Sequence, residues 1–172
     1  NQGKFKEIAY LISKKYKKIS PFKKKIKSPK ETGKTFSTNS KLKARYFSKF
    51  VNFPVISDDS GLCISALDGR PGVHSARLAK KKGGFLPAMK FILKKIDKKK
   101  NRSAYFVCNL SYRYANGFTV SAEGKVNGRI SSKILGKNGF GYDPIFIPNK
   151  KKITFGQMIK SKKIKIDHRF IA

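Results

Sequence analysis

An apolar run, Phe53-Pro54-Val55-Ile56-Ser57, is interrupted by Asp58-Asp59-Ser60-Gly61 and resumes over Leu62-Cys63-Ile64-Ser65-Ala66. Short apolar runs rich in β-branched residues mark buried strands, so the pattern predicts two short strands separated by an acidic turn. The surrounding chain alternates with helical periodicity. Apolar residues at helical spacing predict helices over residues 4–14, 37–50 and 87–98, the last with Ala88, Phe91, Ile92 and Ile96 as its stripe. Residues 105–112 and 118–122 flank Asn116-Gly117, a hairpin signal. Helices interleaved with strands predict an α/β or α+β domain. At 172 residues with 39% hydrophobic content, one domain over 1–172 is expected. Residues 19–35 form a lysine-rich connection, and 98–101 a solvated loop. The first helix starts without a preceding strand and the last residues stop where a helix is starting, so truncation at both ends is expected.

Nine acidic side chains stand against 41 basic ones, a formal charge of +32. Such a surplus attracts polyanions, nucleic acid or a small phosphate-bearing substrate alike. The lysines are spread along the chain and arginine, suited to bidentate phosphate and guanine contacts, is scarce, which makes nucleic acid the less favoured partner. No run of about 18 apolar residues and no secretory leader pattern is present, so no membrane partner and a cytoplasmic location are expected. Cys63 and Cys108 lie in apolar stretches without the pairing of a zinc or redox motif, and are read as buried, reduced thiols.

Four segments carry candidate chemistry. Asp58-Asp59-Ser60-Gly61 follows an apolar strand, where carboxylates can hold magnesium beside substrate phosphates; the alternative is an Asx-turn or helix cap. Residues 67–77 hold Gly69, Pro71 and Gly72 and read either as an anion or base contact through Ser75 and Arg77 or as a structural loop. Gly139-Phe140-Gly141-Tyr142-Asp143-Pro144 enters a buried strand, with Phe140 either stacking on a base or packing into the core. Residues 163–169 alternate in polarity over Lys163 to Ile166 and end in Asp167-His168-Arg169, donors for phosphate or purine edges or one more solvated basic stretch. Asn1-Gln2-Gly3-Lys4 opens a helix whose free N–H groups suit a phosphate. No P-loop or dinucleotide fingerprint occurs.

Taken in order, these segments resemble the inosine triphosphate pyrophosphatase family. Asn1-Gln2-Gly3-Lys4 is similar to the end of its Thr-x-Asn-x-x-Lys motif, and Glu31-Thr32-Gly33 with Asn39 and Leu42-Lys43-Ala44-Arg45 resembles its Glu-Thr-Gly segment and following helix. Ser57-Asp58-Asp59-Ser60-Gly61-Leu62 with Gly69, Pro71, Gly72, Ser75, Ala76 and Arg77 resembles the most specific signature, and residues 139–146 match without a gap. The resemblance implies an elongated α/β fold with a central mixed sheet and flanking helices, two lobes around a nucleotide cleft, and a homodimer. It implies magnesium-dependent hydrolysis of non-canonical purine nucleoside triphosphates (inosine, deoxyinosine, xanthosine) to monophosphate and pyrophosphate.

By the same resemblance Asp59 is the proton acceptor and a metal ligand, with Asp58 beside it in the metal site. Asn1, Lys4 and Lys43 hold phosphates; Ser60, Phe140, Gly141, Tyr142, Asp143, Lys163, His168 and Arg169 form the nucleoside pocket. Two positions depart from the pattern: Thr38 stands where a metal-binding Glu is common, and Asp167 where Ser is usual. The rival expectations are a related pyrophosphatase acting on modified pyrimidine nucleotides or septum-inhibitor proteins, and a basic, non-catalytic nucleic-acid-binding protein.

Overall fold

The computed structural model describes residues 2–21 and 25–172. Helix α1 spans Gln2–Leu11 and α2 spans Phe36–Ser48. Strand β1, Val55–Ile64, follows; α3 (Ser75–Lys81) and α4 (Phe85–Ile96) lead to β2 (Ser103–Arg113) and β3 (Thr119–Ile130). Strand β4 is Phe146–Pro148, and the short helices α5 (Lys160–Lys163) and α6 (His168–Ile171) close the order.

The four strands form one sheet in the order β1-β2-β3-β4, every neighbouring pair antiparallel. The expected mixed sheet is therefore corrected: among the described residues it is an antiparallel meander. The β2–β3 hairpin turns at Asn116-Gly117 as expected, with the Tyr114 N–H donating to the Phe118 carbonyl at 2.9 Å and Gly117 at a φ of +91°.

The acidic turn is the second correction. Strand β1 runs straight through Asp58-Asp59-Ser60-Gly61, in register with Leu110, Asn109, Cys108 and Val107 of β2. Gly61 serves a close approach instead of a bend, since a Cβ there would lie 2.2 Å from the Gly72 carbonyl and 2.6 Å from Ser75 Oγ. Ser75, read as a candidate anion contact, is committed to this joint: its hydroxyl accepts from the Leu62 N–H at 2.9 Å and donates to the Gly72 carbonyl at 2.7 Å.

Because successive strand residues face opposite sides, Asp58 and Ser60 share a face with Leu62 and Ile64, and Asp59 shares the other with Ser57. Leu62, Ile64, Phe106, Val126 and Ile130 join Ala88, Met89, Ile92 and Ile96 of α4 and the buried rings of Phe146 and Phe155 in the hydrophobic core. The other joint, between α2 and strands β1 and β2, is polar. Ser57 Oγ donates to the Ser40 carbonyl, and Ser40 Oγ lies 2.6 Å from Asn109 Oδ1 and 2.7 Å from Ser111 Oγ, all buried. Buried hydroxyls are tolerated where each finds a partner, and here the pairing fixes α2 against the strand that carries Asp59.

Candidate active site

Asn39 and Lys43 stand four residues apart on α2 and so share one helix face. Both reach Asp59: Asn39 Nδ2 donates to Oδ2 at 3.1 Å, and Lys43 Nζ lies 3.1 Å from Oδ1. The same ammonium is 2.6 Å from Oε1 of Glu31, so two carboxylates close on a single cation. Arg77 ties the Glu31 segment down by donating to the Glu31 carbonyl at 2.9 Å. Gly33 lets the chain pass close beneath the start of α2, its N–H donating to Asn39 Oδ1 at 2.8 Å where a Cβ would sit 2.6 Å from that oxygen. Burial pushes the Asp59 carboxyl above its usual range, Glu31 adds to the rise, and Lys43 and Lys4 oppose it. Burial alone would lower the Lys43 pKa, but Asp59 and Glu31 outweigh it and keep the ammonium charged.

Asp58 faces the opposite side and is a hub for cations. Lys4 of α1 pairs with its Oδ1, Arg169 Nε lies 3.3 Å from Oδ2, and the Cys108 thiol donates to Oδ2 at 2.9 Å. Burial opposes ionisation here, but Lys4 and Arg169 overcome it and hold the Asp58 carboxyl far below the ordinary carboxylate range. Arg169 also donates to Ser60 Oγ at 2.7 Å and, through Nη1, to Glu7 Oε2 at 3.0 Å. Glu7 in turn receives Lys163 Nζ at 2.7 Å, and Lys163 lies 2.8 Å from Asp143. The Phe140 ring lies over both cations, 5.2 Å from Lys163 Nζ and 5.2 Å from Arg169 Cζ, an arrangement favoured by the negative face of the ring. Five of the nine carboxylates are thus ion-paired here in an otherwise strongly basic chain, Glu7, Asp58 and Asp143 with Lys4, Lys163 and Arg169, and Glu31 and Asp59 with Lys43. Buried Asp167 caps α6, its Oδ1 accepting from the Arg169 and Phe170 N–H groups.

The whole chain, residues 1–172, matches the Ham1 family. The chain belongs to the Ham1 family. It is 38% identical over 171 residues to a dITP/XTP pyrophosphatase of Caulobacter vibrioides, an alignment covering 98% of this chain and 88% of the relative. A dITP/XTP pyrophosphatase of Oceanobacillus iheyensis is 44% identical over 141 residues, 81% of this chain and 72% of the relative. Among solved structures, the Staphylococcus aureus Ham1 protein superposes with a TM-score of 0.86 at 37% identity, covering 100% of this chain and 90% of that one. A HAM1 protein from Coxiella burnetii gives 0.88 at 33% identity, covering 99% and 89%.

Within this Ham1-family frame, the expected site residues fall into distinct places. Lys4, Asp58, Ser60, Phe140, Asp143, Lys163 and Arg169 lie in one connected network, and Lys43 and Asp59 on the adjoining face of β1. Tyr142 is turned into the core, its hydroxyl donating to the Ser75 carbonyl at 2.9 Å and its ring edge-on to Phe85. Gly141, at a φ of +68°, shapes the loop that presents Phe140. Asn1 lies outside the described residues. Residues 163–166, whose polarity alternates, fold as the end of α5 and a turn. Thr38, at the third position of α2, exchanges hydrogen bonds with Thr35 as a capping box, and the carboxylate beside Asp59 is Glu31. Glu31, Glu7 and Cys108 had no role assigned from sequence. The signal that points to the first two is the scarcity of acidic residues, because each buried cation must be matched from a pool of nine.

His168 stacks on Phe106 with ring centroids 4.8 Å apart and planes 10° from parallel. Arg169 Nη1 lies 3.1 Å from its Nε2, and a guanidinium only donates, so Nε2 accepts and the proton sits on Nδ1. Burial first, and the Arg169 cation second, hold the imidazole well below its ordinary pKa of 6.5. The unfolded chain takes up this proton as pH falls through about 6.5, whereas the folded chain does not. Stability from His168 is therefore complete above that pH and lost on acidification, by at most about 1.4 kcal/mol per pH unit. Asp59, Asp143 and Asp167, all raised chiefly by burial, act in the opposite sense. Comparing wild type with His168→Phe removes their contribution: the stability advantage of wild type in urea unfolding shrinks between pH 7 and 5. A constant difference over that range would show that His168 titrates alike in both states.

Proposed function

We propose that this chain hydrolyses dITP and XTP, the substrates for which its dITP/XTP pyrophosphatase relatives are named, and ITP beside them, to the nucleoside monophosphate and pyrophosphate. The observation that carries the reading is the placement of Asp59. It is a buried carboxylate with raised proton affinity, paired across Lys43 with Glu31, one strand residue from the Lys4, Arg169 and Lys163 network.

Asp59 accepts the proton of the attacking water, for which a carboxyl pKa raised above its ordinary value is an advantage. Asn39 keeps one of its oxygens oriented. Lys4 and Lys43 neutralise phosphate charge, and Phe140 with the donors Lys163 and Arg169, and His168 beside them, receives the base. Donor-only side chains pair with the carbonyl at purine position six and leave the amino group of adenine facing donors.

The donor set around Asp59 suits a divalent metal. Magnesium takes one or two carboxylates and completes its shell with waters and phosphates, and Asp59 and Glu31 already converge on one cation. Asp58, expected beside Asp59 in the metal site, lies on the opposite face of β1 with Lys4, Arg169 and the Cys108 thiol on its oxygens, and in this reading it orders those side chains instead of holding the metal. Magnesium held by Asp59 and Glu31 would supply charge neutralisation at the phosphates. Glu31→Gln is accordingly expected to raise the magnesium concentration for half-maximal rate about tenfold, as loss of one of two charged ligands should. Thr38→Glu leaves it within about twofold, because glutamate also suits that capping position. A marked tightening in Thr38→Glu would show that the site lacks a carboxylate there.

The same reading includes a homodimer and a cytoplasmic location; among the described residues no helix is long and apolar enough to cross a membrane. Pyrophosphate release from dITP, ITP, XTP, ATP and dTTP with magnesium tests it. The inosine and xanthosine substrates should exceed ATP and dTTP by about a hundredfold or more in kcat/KM. Preference for pyrimidine nucleotides would transfer the chain to a related activity.

A further inference from the structure

Lys43 is placed oddly for a residue whose task is only to hold phosphates. Its side chain is 11% exposed, and its ammonium sits between Glu31 and Asp59, 2.6 and 3.1 Å from their oxygens. Each carboxylate is independently anchored. Asn39 holds the other oxygen of Asp59, and Arg77 holds the backbone of Glu31 and lies 3.8 Å from its second oxygen. The two acidic groups, brought to one ammonium, repel each other. The Lys43 ammonium between them offsets that repulsion.

We propose that Lys43 is a positioning residue that holds the Glu31 and Asp59 carboxylates ready for a divalent cation and leaves them when that cation binds. The inference rests on the reading of Asp59 and Glu31 as metal ligands. An ammonium and a divalent ion compete for the same oxygens, and the divalent ion balances two carboxylates where Lys43 leaves one negative charge over. The flexible four-carbon stem of lysine lets the displaced ammonium move off while α2 stays fixed, and the free charge becomes available to a substrate phosphate. Lys43 thereby couples filling of the metal site to readiness for the nucleotide.

Mn2+ alone, without nucleotide, is the probe. Binding is followed by loss of the free-ion paramagnetic resonance signal in wild type, Lys43→Met, Lys43→Arg and Asp59→Asn. Lys43→Met is expected to bind Mn2+ about tenfold more tightly than wild type, the size expected from removing a unit positive charge a few ångströms from the ion in a partly solvated site. Its metal-free form should melt at a lower temperature than wild type, with Mn2+ closing the gap. Lys43→Arg, which keeps the charge, should bind no more tightly than wild type. Equal or weaker Mn2+ binding in Lys43→Met overturns the proposal. Unchanged binding in Asp59→Asn, or none in wild type, overturns the metal reading itself. The intact wild type gives a second measure should Lys43→Met not fold: Mn2+ should increase acetylation of Lys43 by acetic anhydride relative to the other lysines, and an unchanged ratio counts against displacement.

Discussion

Asp59→Asn is expected to lower kcat by about a hundredfold or more while leaving a folded chain with most of its nucleotide affinity. The substitution removes the proton acceptor without changing side-chain size. The amide nitrogen, itself a donor, must face a donor, since Asn39 Nδ2 and Lys43 Nζ each donate to one oxygen of Asp59. That mismatch costs about 1–3 kcal/mol, a loss visible in urea unfolding but too small to unfold a typical domain. Turnover at saturating magnesium and dITP, beside binding of a non-hydrolysable analogue, separates chemistry from affinity. Retention of more than about a tenth of the wild-type rate would place the base elsewhere.

Arg169→Ala should be the most destabilising single change in the site, at about 3–5 kcal/mol, because it strips a partner from two buried carboxylates at once. Arg169 is 3% exposed and meets Glu7, Asp58, Ser60 and the His168 ring. For a chain of this length the melting temperature should fall by on the order of ten degrees. A loss below about 1 kcal/mol would mean that water replaces the guanidinium. Arg169→Lys keeps the charge and tests base reading more cleanly. Its inosine-to-adenosine ratio of kcat/KM should fall, mainly through slower inosine turnover. An equal drop for both substrates would assign Arg169 to the phosphates or the fold.

Helices α2 and α4 and the β2–β3 hairpin were legible because their signals are local: apolar spacing, and Asn-Gly between alternating runs. Strand β1 was misread for a physical reason. Two adjacent charges in a buried strand are costly unless each finds partners, and those partners come from distant positions: Lys4 and Arg169 for Asp58, Asn39 and Lys43 for Asp59. No window around residues 58 and 59 contains them. The catalytic candidate Asp59 could still be singled out, since a carboxylate pair is conspicuous in a chain with nine acidic residues. The same scarcity and the Glu-Thr-Gly segment mark Glu31, but its place beside Asp59 is not legible, because it sits in a connection without periodicity and meets Asp59 only across the Lys43 ammonium. Tyr142 shows the converse: the motif around it resembles a pocket, yet its hydroxyl closes on the Ser75 backbone and fastens the loop to α3.

The most direct test of the account is hydrolysis of dITP with magnesium in water enriched in oxygen-18. Attack of water on the α-phosphorus, with Asp59 taking the proton, predicts deoxyinosine monophosphate carrying one labelled oxygen and unlabelled pyrophosphate. Labelled pyrophosphate, or release of orthophosphate in its place, would contradict it.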